Sequence, residues 1–111
     1  MNLKDLKSAG GFVGTGMTKV NIVWDKGDDT PLSFDVHVAP LSFGEVERIL
    51  REEAEGRSRV ANLIASAIRL GEEGQERLTY EDAYSLEPGL AKAFAKAVGE
   101  ANDLGKSKAP T

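Results

Sequence analysis

Apolar and polar residues first fall into register at residues 19–38. Val20, Ile22 and Trp24 alternate with Lys19, Asn21 and Val23, and Leu32, Phe34, Val36 and Val38 alternate with Ser33, Asp35 and His37. A period of two places one set on a core face and the other towards water, so two strands are expected. The DKGDDTP segment between them is polar and turn-forming, with Gly27 and Pro31, and neighbouring strands joined by a short loop pair antiparallel. From Pro40 onward the period changes. Ser42 with Glu45 forms a capping box, and Phe43, Val46, Ile49 and Leu50 mark the expected buried side of a helix running to about Ala54. Its other face carries Glu45, Glu47, Arg48, Arg51, Glu52, Glu53 and Glu55, a pattern that reads as solvated. Gly56 interrupts the pattern. Val60, Leu63, Ile64, Ala67 and Ile68 resume helical spacing, with Gly71 suited to a C-cap, although residues 58–70 are also apolar enough for a buried strand.

The segment from Leu78 to Asn102 carries the strongest helix signals. Thr79 and Asp82 approximate a capping box for a short helix from Tyr80 to about Leu86, which must stop before Pro88. Pro88 then suits the first turn of a second helix. There Leu90, Phe94, Val98 and Ala101 form one apolar stripe, opposite Lys92, Lys96 and Glu100, while Ala91, Ala93, Ala95 and Ala97 favour helix and permit close approach. The glycines at 10, 11, 14 and 16 make residues 1–16 a flexible lead-in, within which Leu3 and Leu6 could form a brief amphipathic turn. GKSKAPT, at the other end, offers nothing to bury, so 104–111 reads as a disordered tail. The expected fold is therefore α+β: one domain over 17–103, an N-terminal antiparallel β-hairpin followed by three to four helices packed on one face. An isolated hairpin is marginal in water and keeps two open edges, so homo-oligomerisation is a natural expectation.

Composition narrows the chemistry. A chain of 111 residues can bury about 65% of its unfolded surface without covalent staples. No cysteine is present, so disulfides and thiolate chemistry are excluded. The opening MNLKDLKSAGG lacks the apolar run of a secretory signal, and no run approaches the length of a membrane span. A net charge of −4 argues against nucleic-acid binding.

His37 is the sole histidine, which excludes a histidine cluster and makes a zinc site untenable; with Asp35 it reads as a solvated pair. Asp25, Asp28 and Asp29 lack the spacing of a calcium loop. Gly105-Lys106-Ser107 has no glycine five residues upstream, and GGFVGTG leads into a strand rather than from a strand into a helix, so neither is a nucleotide motif. Trp24 reads as hairpin packing. No nucleophile with an adjacent base stands out, so an enzyme is not expected and no cofactor is implied.

From about Ser58 onward, the run RVANLIASAIRL, then GQERLTYEDAYSLEP, then GLAKAFAKAVGEAN resembles the tail assembly chaperones of long-tailed bacteriophages. The spacing of Tyr80, Glu81, Ala83 and Tyr84 is its most distinctive part. The resemblance implies a non-enzymatic protein that binds the tape measure protein and keeps it soluble while tail-tube subunits assemble. It also implies action in the bacterial host cytoplasm and absence from the mature virion. Family members are often made in a second, longer form by programmed frameshifting, and Leu104-Gly105-Lys106 is compatible with a slippery site. The implied contact surface is Tyr80, Tyr84, Leu90, Phe94 and Val98 with the apolar hairpin face. Implied partners are the tape measure protein, the tail tube protein and the frameshifted form, with no nucleic acid or membrane. The competing reading is a structural subunit, a minor tail or head–tail connector protein retained in the virion.

Overall fold

In a computed structural model of the chain, residues 1–14, 16–27 and 29–102 are described. The expected tail at 104–111, the candidate slip site, Gly105-Lys106-Ser107 and Asp28 lie outside them. The order is α1 (Leu3–Ser8), β1 (Thr18–Trp24), β2 (Leu32–Val38), α2 (Phe43–Ala54), α3 (Arg59–Ala67), β3 (Ile68–Leu70), β4 (Glu76–Arg77), α4 (Tyr80–Tyr84) and α5 (Pro88–Asn102). The fold is α+β, as the alternation of periods predicts.

Strands β1 and β2 pair antiparallel from Thr18↔Val38 to Trp24↔Leu32. Ile22, Val36 and Val38 are buried and Val20, Phe34 and Trp24 half-buried, while Lys19, Asn21 and Val23 face outward. The sheet is larger than a hairpin. It has four strands in the order β1-β2-β3-β4. The apolar run expected as one helix up to Gly71 divides after Ala67. Ile68 leaves helical backbone and pairs with Val38, and Arg69 pairs with His37. The physical reason lies next door: β2 offers unpaired main-chain groups at its end, and β-branched Ile68 fills the core there as a strand residue. The segment expected as a polar loop, residues 71–77, is a tight turn with Gly71 and Gly74 at positive φ that returns the chain as β4. Gly74 has no room for a Cβ, which would stand about 3.0 Å from the His37 side chain.

The core gathers Ile22, Val36, Val38, Leu41, Ile64, Ile68, Phe94 and Val98 between the sheet, α3 and α5. Phe34 and Phe94 meet edge to face at 6.2 Å. Both N-terminal capping boxes are realised, whereas Gly71, expected as a helix C-cap, instead opens the turn after β3. Ser42 and Glu45 reciprocate at α2, as do Thr79 and Asp82 at α4, where the shorter Asp reaches the Thr79 amide at 3.1 Å. Leu3 and Leu6 do lie in a helix, α1, capped by Asn2 and Asp5, but it buries no residue. Two residues assigned to the buried side of α2 are not buried: Phe43 is 77% exposed and Leu50 45%. Helix α2 packs chiefly against α3, at the margin of the fold, so a single neighbour covers only Ile49 fully and Val46 partly.

Helix α5 is fixed at both ends. At its start Trp24 Nε1–H donates to Glu87 Oε1 at 2.8 Å, and the Leu90 amide donates to the same oxygen at 3.1 Å. At its end Asn102 Oδ1 accepts from the Leu41 amide at 2.8 Å, and Asn102 Nδ2 donates to the carbonyls of Val98 and Ala39. One side chain thus closes three main-chain groups of the β2–α2 connection and the last turn. Asn102→Ala is expected to cost about 1–3 kcal/mol by leaving a part-buried amide unpaired. Urea unfolding of the purified protein measures this; an unchanged midpoint would show that water replaces the bonds at no cost.

Candidate functional site

Two helices that share only part of their surfaces leave a seam with unlike sides. One side of the α2–α3 seam is polar. Glu52 accepts from Asn62 Nδ2 at 2.9 Å and from Arg48 at 3.2 Å, and Arg57 pairs with it at 3.4 Å, while Arg48 also donates to Ser66 Oγ at 3.0 Å. The Asn62 amide, together with Arg48 and Arg57, holds the Glu52 carboxyl below its ordinary range. This network sets the position of α2, which has little apolar contact of its own to set it.

The other side of the seam is an apolar groove of about 440 Å³, walled by Val46, Ile49, Leu50, Arg59, Leu63, Ala95 and Gly99. Ala95 and Gly99 are one helical turn apart on α5, and the Ala95 methyl and the Gly99 backbone line the groove. Leu50 stands at the rim, and Arg59, paired with Glu53 at 3.6 Å, closes one margin. Around α3, Val60 is 45% exposed and lies three residues from Leu63, so an exposed apolar side chain stands beside the groove on a neighbouring helical face. A second, shallower depression of about 180 Å³ follows it, between Val60, Ala61, Ile64, Ala83, Tyr84, Leu86 and Ala91. The result is a band of unburied aliphatic and aromatic side chains from Leu50 to Tyr84, at the edge of a domain whose core is otherwise closed.

The five residues expected at a contact surface are not brought together as one. Phe94 is 3% exposed and Val98 0%, both in the core, and half-buried Leu90 packs against it. The apolar hairpin face is covered by α3 and α5. Tyr80 is a latch: its hydroxyl accepts from the Ser58 amide at 2.8 Å, and the Arg57 guanidinium lies 3.8 Å from its ring centroid. Tyr84 stacks on Tyr80 with centroids 5.8 Å apart and is 68% exposed. Of the five, Tyr84 alone belongs to the open band. Leu50, Leu63, Ala95 and Gly99, which line the groove, and exposed Val60 beside it are not among the five. For Leu50 a signal existed: the apolar stripe of α2 is wider than one neighbouring helix needs.

The polar candidates resolve differently. Asp35 pairs with Lys19 at 3.8 Å and accepts from Asn21 at 3.0 Å, and His37 sits half-buried beneath the Gly74 turn with Nδ1 unpartnered, so the two are not a solvated pair. Asp25 accepts from the Gly27 amide at 2.9 Å, a turn closure. Among the described residues no group of three or more His, Cys, Asp or Glu is placed to hold a metal, and no helix is long and apolar enough to cross a membrane.

A family model described as phage tail assembly chaperone, TAC, matches residues 4–102. No curated protein and no solved structure matches the chain.

The Trp24–Glu87 bond offers a direct reporter, because Trp24 is the only tryptophan. The indole N–H, followed by the amides at Gly89 and Leu90, pulls the Glu87 carboxyl below its ordinary range. A carboxylate lowered in the folded state adds stability that is complete above its unfolded value and is lost as pH falls through the folded value. Tryptophan fluorescence should therefore hold steady as pH falls through the ordinary carboxylate range and change only below it. Glu87→Gln keeps an acceptor and should flatten that transition; an identical acid transition in the variant would show that another group causes it.

Proposed function

The chain belongs to the phage tail assembly chaperone family, and on that footing we propose that it binds the tape measure protein and keeps it soluble while the tail tube assembles around it. It acts by binding, without a chemical step. The band from Leu50 to Tyr84 takes an apolar stripe of a helical tape measure segment. The observation that supports this reading is the groove itself: aliphatic walls on three helices, open along one side, with an ion-paired Arg59 at the margin. Amphipathic helices dock in grooves of this kind through anchors spaced three and four residues apart. An unassembled tape measure helix exposes just such stripes, and covering them removes the apolar surface that drives aggregation. The domain's acidic balance, a net charge of −4, favours keeping the complex dispersed.

The chaperone works in the host cytoplasm, hands its client to the tail tube protein and is left out of the finished virion. A longer form reading through Leu104-Gly105-Lys106 by frameshifting would carry the same groove and add a second contact for tube subunits.

Leu50 and Val60 are exposed, so Leu50→Asp and Val60→Asp should fold as the parent does, with an unchanged far-UV circular dichroism spectrum. Co-expressed with the cognate tape measure protein, each should lower its soluble fraction several-fold, because a charge in the groove must be desolvated when the helix docks. Full solubility with both variants would remove the groove from the account. Mass spectrometry of purified particles separates a chaperone from a structural subunit: the chaperone is missing from them, and a minor tail or connector protein is present.

A further inference from the structure

The sheet ends in two unlike edges. β4 is two residues long and both are charged, a short edge that offers little to a partner strand. β1, at the other end, is seven residues long, contains no proline and, among the described residues, has no strand beyond it. Helix α5 packs against β1 beside this edge. A groove of about 270 Å³ runs between Val20–Val23 and the Ala93, Lys96, Ala97 and Glu100 stripe of α5. Its α5 side alternates two small residues, Ala93 and Ala97, with two charged ones, Lys96 and Glu100.

We propose that the β1 edge and the adjoining face of α5 form a two-fold interface with a second copy of this chain, joining two four-stranded sheets into one. The self-complementarity is written in the strand. Antiparallel pairing of β1 with itself about Asn21 sets Val20 opposite Ile22 of the second copy and Lys19 opposite its Val23, so every residue from Thr18 to Trp24 gains a partner. The Lys19 stem then covers Val23, which is 63% exposed in the single chain. The helix supplies the charge match. α5 runs antiparallel to β1, since Trp24 bonds Glu87 at the helix start while Asn102 bonds the chain just past β2 at its end. The two-fold therefore sets the two α5 helices antiparallel, with Lys96 of each towards Glu100 of the other. Among the described residues neither side chain is engaged in an ion pair within its own chain. An isologous interface requires a surface to meet itself in this way, cation to anion and strand to strand. The inference stands whether or not the groove between α2, α3 and α5 takes the tape measure protein.

Charge reversal tests it, since Lys96 and Glu100 are exposed and their exchange leaves the core untouched. Sedimentation equilibrium on the full chain should find a dimer at micromolar concentration. Lys96→Glu and Glu100→Lys should each weaken it roughly tenfold, by losing two cross-interface pairs and creating like-charge contacts. The double variant Lys96→Glu with Glu100→Lys should restore the parent affinity, because the two-fold re-forms the same pairs with the signs exchanged. A chain that stays monomeric, a dimer indifferent to the single reversals, or a double variant as weak as the singles would overturn the proposal.

Discussion

Burial of one face of the β1–β2 hairpin is the constraint from which the other contacts follow. Two strands alone cannot keep Ile22, Val36 and Val38 out of water, and the chain covers them with α5 and α3. Helix α5 is therefore held at both ends, by the Trp24–Glu87 bond where it starts and by Asn102 where it stops. With α5 fixed, Phe94 and Val98 are committed to the core, and the remaining faces of the helix become available. One faces the β1 edge, and the other, through Ala95 and Gly99, walls the apolar groove. The covering helix thus does structural work on one face and presents surface on two.

What was legible in the sequence were the features governed by local rules. Alternation gave the hairpin strands. Ser42, Thr79, Gly56 and Pro88 marked helix limits, because capping and φ restriction act within a few residues of themselves. Ile68–Leu70 escaped because Ile68 continues the helical spacing while residues 58–70 are also apolar enough for a strand, and the choice was made by the free end of β2, far away in sequence. The fate of α2 escaped for a related reason. Its stripe of Phe43, Val46, Ile49 and Leu50 looks like a core face, but only neighbours decide how much of a stripe is covered, and α2 has essentially one. That incomplete cover is what opens the groove, so the least legible part of the fold is also the part the proposed binding relies on.

The residues that carried the family resemblance fare in an instructive way. Tyr80 and Tyr84 share a helix and a stack, yet one tethers α4 to the Ser58 amide and the other stands in solvent. Asn102, the end of the resembling segment, is a three-bond clamp. Much of the recognisable pattern therefore specifies how the C-terminal half docks on the sheet, and the apolar band lies beside it.

The most direct test of the central claim is to follow backbone amide and methyl NMR signals of the folded chain as a soluble helical peptide from the cognate tape measure protein is added. Shifts should concentrate at Leu50, Val60, Leu63 and Ala95, tailing towards Tyr84, with the outer sheet face around Asn21 and Asp35 unmoved. Shifts confined to the sheet face, or no saturable shifts with any tape measure segment, would contradict it.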